Sequence, residues 1–514
     1  MSLLRNSKTS DKRNLMSTKP VLLTFATSLL MLGSCTTTDS TMVRIYETSE
    51  QGNLCTEISP VEHLENTTLL EVDLSQPRQE ISGFGGAFTE ASASLLNRLS
   101  EENASEIIQR YFGEEGSRYS LMRTHMNSCD FSLSNYSYTP VEGDTLLEHF
   151  TIDEDRADLI PMIKSAQAAS KEGFRLFGSP WTAAPWMKDN NSWVGGKLLP
   201  EYYDTWARFF AKYVDAYRAE GIDIWGFTVE NEPHGNGNNW ESMLYSPKEM
   251  TDFVEHHLGP VLEQDGKGDL VILGYDQNRE GLREWVDEMY RDENASRYFG
   301  GTAVHWYEST VDYFPTELEY AHEKAPNKFL IQTEACVDAQ VPVWQDDAWY
   351  WKKEATDWGY TWREESKKYL HPKYAPVNRY ARDIIGCMNH WVDGWVDWNM
   401  VLDRQGGPNW KENWCIAPVI VDPEQDEVYY TPLFYVLQHF SKFIRPGARV
   451  FPVQNENDAL MTTAAQNPDG SIAVVIFNEG YDSHPVSLKV GETTTFANVG
   501  PQTIQTIIIQ PKTE

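Results

Sequence analysis

Ile224-Trp225-Gly226-Phe227-Thr228-Val229-Glu230-Asn231-Glu232-Pro233 is an apolar, strand-like run that stops in acids, an amide and a proline. The run Phe329-Leu330-Ile331-Gln332-Thr333-Glu334 ends in the same way. Six more short apolar runs share this character, so that strands are predicted over residues 83–88, 120–126, 174–181, 224–232, 270–275, 302–307, 329–333 and 394–402. Stretches with helical spacing, such as 202–219 and 247–262, lie between them. Eight strands alternating with helices predict an α/β fold, a (β/α)8 TIM barrel, whose functional groups stand at the C-terminal ends of its strands. In that frame Glu232 and Glu334 close strands four and seven.

The flanks differ. Residues 41–80 and 446–514 carry alternating apolar positions, a turn signal at Asn467-Pro468-Asp469-Gly470, and a final strand-like run over 503–510. Because they lie on either side of the barrel, they are expected to pair into one small β-sandwich domain built from both chain ends. The expected division is 81–445 for the barrel and 43–80 plus 446–514 for the sandwich. Residues 1–35 read as an export leader, with basic residues before an apolar run that is too short to span a bilayer. The leader ends in Leu32-Gly33-Ser34-Cys35, which resembles a bacterial lipobox. Cys35 would then carry lipid, residues 36–42 would be a tether, and the protein would sit in the periplasm or on the outer-membrane surface.

A net charge of −33 opposes nucleic acid and anionic membranes as partners, so that membrane contact is expected only through the N-terminal anchor. A neutral substrate fits better, and an aromatic content of 12% supplies faces that can stack on sugars. Beyond Cys35, the five remaining cysteines (Cys55, Cys129, Cys336, Cys387 and Cys415) contain no CxxC pair or zinc-like spacing. No metal is inferred, Cys129 and Cys336 read as small packing residues, and a disulfide among the five stays open. Two strand-end glutamates in one barrel can place a proton donor and a nucleophile on opposite faces of one sugar, the requirement of retaining glycoside cleavage. The alternatives are Glu230 in place of Glu232, since strict alternation puts both on one face, and a helix-capping role for Glu334.

In order and spacing, a set of short blocks resembles glycoside hydrolase family 30, and within it the glucosylceramidase group. The blocks include Gly83-Phe84-Gly85-Gly86-Ala87-Phe88-Thr89-Glu90, Asn127-Ser128-Cys129-Asp130-Phe131-Ser132, Ser179-Pro180-Trp181-Thr182 and Thr228 to Pro233. Ala303-Val304-His305-Trp306-Tyr307, Thr333-Glu334-Ala335-Cys336, Asp397-Trp398-Asn399 and Gly406-Gly407-Pro408-Asn409-Trp410 continue the series. The resemblance implies Glu232 as acid/base and Glu334 as nucleophile. It also implies a sugar pocket lined by Asp130, Trp181, Asn231, Trp398 and Asn409, and support for the nucleophile from Arg123, His305 and Tyr307. It implies no metal and no organic cofactor.

Glu90 replaces the aspartate common in that group and receives no catalytic role. The implied substrate is a β-glucoside, β-glucan or glycolipid. An endo-β-1,6-glucanase is the nearest alternative, and a non-catalytic carbohydrate-binding surface lipoprotein is the reading from another class. The aromatic-rich segment 338–374 is longer than the loop expected there and is open to two readings, a wall over the leaving-group side or a packed surface cover.

Overall fold

The computed structural model describes residues 42–309, 311–338 and 375–510. The expected leader, Cys35 and the tether up to Thr41 lie outside the described residues, as does nearly all of the aromatic-rich segment. Eight parallel strands close a barrel: β1 (Gly83–Phe88), β2 (Leu121–Met126), β3 (Arg175–Pro180), β4 (Gly226–Thr228), β5 (Val271–Asn278), β6 (Phe299–His305), β7 (Phe329–Glu334) and β8 (Gly394–Asn399). Each strand pairs with its neighbour in sequence, and β8 closes on β1. Leu121, Phe177, Leu273, Ala303, Ile331 and Val396 fill the barrel interior from six different strands. Residues on both faces of these strands are buried, which is why they read as short continuous apolar runs.

Several strand ends depart from expectation: β5 runs on to Asn278 rather than stopping at 275, β6 spans Phe299–His305 rather than 302–307, and β4 and β8 stop short. β4 stops at Thr228 rather than continuing to Glu232. Beyond it the Asn231 N–H bonds to the Pro180 carbonyl and the Glu232 N–H to the Asp276 carbonyl, while Glu232 itself takes φ +50°. The chain has turned there, so strand alternation does not carry from Glu230 to Glu232. β8 stops at Asn399, and Val401–Asp403 belongs to a separate three-stranded sheet with Val419–Asp422 and Glu427–Tyr430.

The sandwich has a six-stranded and a four-stranded sheet. In the first, Val43–Ser49 pairs antiparallel with Thr503–Ile509 along its whole length, from Val43 opposite Ile509 to Ser49 opposite Thr503. In the second, Thr68–Val72 lies beside His484–Val490 and Val453–Asn455. Both chain ends thus build one domain, whose interior is aliphatic: Ile45, Leu70, Val474, Ile476, Leu488 and Ile507 are examples. The hairpin turn falls at the expected place, with Gly470 at φ +84° and its N–H on the Asn467 carbonyl.

Candidate active site

The centre of the site is the guanidinium of Arg123 on β2, buried under the C-terminal end of the barrel. All five of its N–H groups are used. Nε donates to Ser179 Oγ at 3.0 Å, Nη1 to the Thr333 carbonyl at 3.1 Å and Glu334 Oε2 at 3.0 Å, and Nη2 to Asn231 Oδ1 and Asp276 Oδ2 at 2.8 Å each. A planar fork with five fixed donors can hold three strands in one arrangement, which the flexible point charge of a lysine could not do. Trp181 and Trp398 lie close to the guanidinium, 5.0 and 5.7 Å from ring centre to Cζ, and stack on each other at 5.1 Å.

Glu334 is the last residue of β7. Its Oε2 takes the Arg123 hydrogen bond and its Oε1 accepts from the Tyr307 hydroxyl at 2.8 Å. Burial pushes the Glu334 carboxyl up, His305 and Arg123 pull it down, and the nearby Glu232 raises it again. His305, the last residue of β6, bonds through Nε2 to Asp276 Oδ1 at 2.9 Å and places Nδ1 3.6 Å from Glu232 Oε1. Burial opposes charge on the imidazole, but the Asp276 and Glu334 carboxylates prevail and raise it to about 9. Asp276 is likewise buried, yet the Arg123 and His305 cations hold it down at about 2.

Glu232, His305 and Glu334 each offer one polar atom such that all three lie within 4.8 Å of one another. A metal ion fits this trio poorly, because both oxygens of Glu334 are already taken, Oε2 by the Arg123 cation and Oε1 by the Tyr307 hydroxyl. What the trio provides is two carboxylates facing one space, flanked by fixed positive charge.

That space is a cavity of about 260 Å³ lined by Asp130, Trp181, Asn231, Glu232, Tyr307, Glu334 and Trp398, among others. Six of the sequence-derived site residues other than the carboxylate pair therefore stand at or beside it: Asp130, Trp181, Asn231, Trp398 and Tyr307 in its wall, with Arg123 directly behind Glu334. Since Asn231 Oδ1 accepts from Arg123, its amide nitrogen is the end left to donate to a ligand. Asp130 is buried, which raises its carboxyl well above the usual range, with Glu334 adding to the rise.

Asn409 is not in the cavity wall. Its side chain bonds to the backbone of Asn413, donating to the carbonyl at 2.7 Å and accepting from the N–H at 2.9 Å, and Asn413 in turn lines the cavity and donates to Asp130 Oδ2 at 2.9 Å. Glu230 is fully buried and outside the cavity wall. Glu90 opens the helix Glu90–Leu96 and accepts the Leu133 N–H, also outside the wall.

Sequence reasoning missed Asp276, Asn413, Gln277, Asn278, Trp240 and the lining role of Cys336 and Cys415. Asp276 had one signal, an acid at the end of an apolar run. It reaches Arg123 only because β5 slips register between Tyr275 and Gln277, with Tyr275 at φ +75° and Asp276 at φ +64°.

Comparison with known proteins agrees with this architecture. Residues 81–444 match the glycosyl hydrolase family 30 TIM-barrel domain, and residues 447–507 the glycosyl hydrolase family 30 beta sandwich domain. The chain is 36% identical to putative glucosylceramidase 3 of Caenorhabditis elegans over 452 residues, covering 85% of this chain and 81% of the relative. It is 33% identical to the lysosomal acid glucosylceramidase of Mus musculus, covering 84% of this chain and 81% of that protein. The solved structure of an endo-β1,6-glucanase superposes with a TM-score of 0.78 at 25% identity, covering 91% of this chain and 99% of that one.

Proposed function

The chain belongs to glycosyl hydrolase family 30, and from that membership we propose that it is a retaining β-glucosidase of the glucosylceramidase type, working by a two-glutamate double displacement. The observation that carries this reading is the closeness of the two acids: an oxygen of Glu232 and one of Glu334 lie within 4.8 Å. Retaining enzymes hold their carboxyl groups about 5–5.5 Å apart, whereas inverting ones leave roughly 6.5–9.5 Å for a water. In the first step Glu334, held by Arg123 and Tyr307, attacks the anomeric carbon while Glu232 gives its proton to the departing oxygen. In the second step Glu232 takes a proton from water, which attacks the same carbon and releases Glu334. Asp130, Asn231 and the indole of Trp181 supply hydroxyl partners and an apolar face for the sugar.

The glucosylceramidase assignment rests on the relatives at 33–36% identity. Endo-β-1,6-glucan cleavage is the second reading, favoured by the close superposition on an endo-β1,6-glucanase. One experiment separates them. The full-length protein is incubated with glucosylceramide and with β-1,6-glucan, with products resolved by length and the first-formed anomer followed by NMR. Glucose alone, released as the β-anomer, is the expected result, and a ladder of oligosaccharides from the glucan would move the assignment to the second reading. The α-anomer as first product would sink the retaining mechanism, and so would a Glu334→Gln variant as fast as wild type.

A further inference from the structure

Two thiols meet on the wall of the cavity. Cys336 lies two residues past Glu334, and Cys415 lies in the segment that follows β8. Their Sγ atoms are 3.2 Å apart, and both residues line the cavity. The backbone sets this contact. The two-residue strands Val337–Asp338 and Cys415–Ile416 pair antiparallel, with Val337 opposite Ile416 and Asp338 opposite Cys415. Side chains alternate along a strand, so Cys336 and Cys415 share the face opposite to Val337 and Ile416. Each is anchored nearby: Trp306 Nε1 donates to the Cys336 carbonyl at 3.1 Å, and the Cys415 N–H to the Gly406 carbonyl at 3.1 Å. A disulfide bond is about 2.05 Å long, so closure asks the sulfurs to approach by about 1.2 Å. Small side-chain rotations at the end of a two-residue ladder can supply that.

We infer that Cys336 and Cys415 form a redox-closed staple across the sugar cavity. The oxidant is a small disulfide, such as oxidised glutathione, entering through the cavity that both residues line. One cysteine, as thiolate, attacks a sulfur of the oxidant, forming a mixed disulfide and expelling one thiolate. The other cysteine then loses its proton and attacks the protein sulfur of that mixed disulfide, expelling the second thiolate. The protein loses two protons and two electrons and gains one S–S bond, while the oxidant's S–S bond becomes two thiols.

The consequence is local. The Tyr307 hydroxyl sits 2.8 Å from Glu334 and 3.6 Å from Cys336 Sγ, so one end of the staple is on the nucleophile side. Asn413, two residues before Cys415, donates to Asp130, so the other end is on the hydroxyl-binding side. Oxidation therefore fixes the gap between the two sides, whichever glycoside is bound.

The test exposes full-length protein to millimolar oxidised glutathione at pH 8, blocks remaining thiols with N-ethylmaleimide in denaturant, and maps peptides by mass spectrometry without reduction. Expected are a linked Cys336–Cys415 peptide pair, a Tm higher by about 3–8 °C than in dithiothreitol, and a KM for an aryl β-glucoside that shifts at least about twofold and returns on reduction. In Cys415→Ser the link is absent, Cys336 carries glutathione, and Tm no longer responds. Cys129→Ser keeps the link. Wild-type Cys336 and Cys415 that both remain alkylatable, or carry separate glutathiones, would overturn the proposal. So would a link that leaves Tm and KM unmoved.

Discussion

His305 is an imidazole whose charge is set by its neighbours rather than by its own chemistry. Buried, it should resist protonation, yet Asp276 and Glu334 lift it to about 9. A group raised from about 6.5 when unfolded to about 9 when folded contributes stability fully below pH 6.5, and that contribution is lost as pH rises through 9. Its size is about 1.4 kcal/mol for each pH unit that separates the two values, or about 3 kcal/mol in all. Wild type should therefore exceed a His305→Gln variant most at pH 6, with the gap closing by pH 9.5. Denaturant unfolding of both proteins across that range checks it, and a gap independent of pH would mean that the folded imidazole is neutral.

At the same scale, legibility divides sharply. Glu232 and Glu334 stood out because each ends a strand-like run, where a barrel puts its chemistry, whereas Asp130 and Trp181 were marked only by the family resemblance of the blocks that carry them. Asp276 did not, because its position depends on two successive left-handed residues that nothing in Leu273-Gly274-Tyr275-Asp276-Gln277 announces. Asn409 was misplaced for a related reason: its loop spends that side chain on Asn413, which delivers the polar group to the cavity instead.

Among elements, the barrel strands were legible in position and less so in length. Burial on both faces leaves a continuous apolar signal, but a strand's end depends on which carbonyl accepts the next N–H, as Pro180 and Asp276 do after β4. The loops carry information that sequence pattern does not. Glu241, in the segment after Glu232, accepts from Ser128 Oγ at 2.9 Å and Asn135 Nδ2 at 2.5 Å in the segment after β2, and from Trp410 Nε1 at 3.1 Å in the segment after β8. One buried carboxylate thus ties together three active-site loops. Glu241→Ala leaves Ser128 Oγ and Asn135 Nδ2 without this acceptor, each at a cost of about 1–3 kcal/mol where water cannot replace it, while Trp410 Nε1 keeps its bond to the Cys129 carbonyl. The loops that carry Asp130, Asn413 and Trp240 should loosen, and KM for an aryl β-glucoside should rise about tenfold with a smaller change in kcat. Glu241→Gln, which keeps an acceptor oxygen, should recover most of that loss. Steady-state kinetics of the two variants check it, and an alanine variant with wild-type KM would remove Glu241 from this positioning role.

Across the whole molecule, barrel and sandwich are joined through a second buried histidine of opposite electrostatic character. His439, on the helix Pro432–Ser441, bonds at 2.8 Å through Nδ1 to Thr506 Oγ1 and through Nε2 to Thr48 Oγ1, the two outermost sandwich segments in the sequence. Thr506 Oγ1 donates to the His439 carbonyl, so it accepts from Nδ1–H, and Thr48 supplies the proton to Nε2. This is a neutral imidazole, and burial pushes it down to about 3. With the folded value below the unfolded one, the unfolded chain binds the extra proton between pH 6.5 and 3, so that stability falls as pH falls, by about 1.4 kcal/mol per pH unit below 6.5. His439→Gln keeps a donor and an acceptor but cannot be protonated. It should be less stable than wild type at pH 7 by about 1–3 kcal/mol, because a shorter side chain cannot reach both threonines, and the difference should shrink on acidification toward pH 4.5. Because His125 titrates in the same direction in both proteins, its effect cancels in the comparison. Denaturant unfolding at pH 7, 5.5 and 4.5, followed both by tryptophan emission and by far-ultraviolet circular dichroism, checks the sign. It also reports whether barrel and sandwich unfold in one transition. A difference that grows on acidification would mean that His439 is charged in the folded protein and that its contacts have been misread.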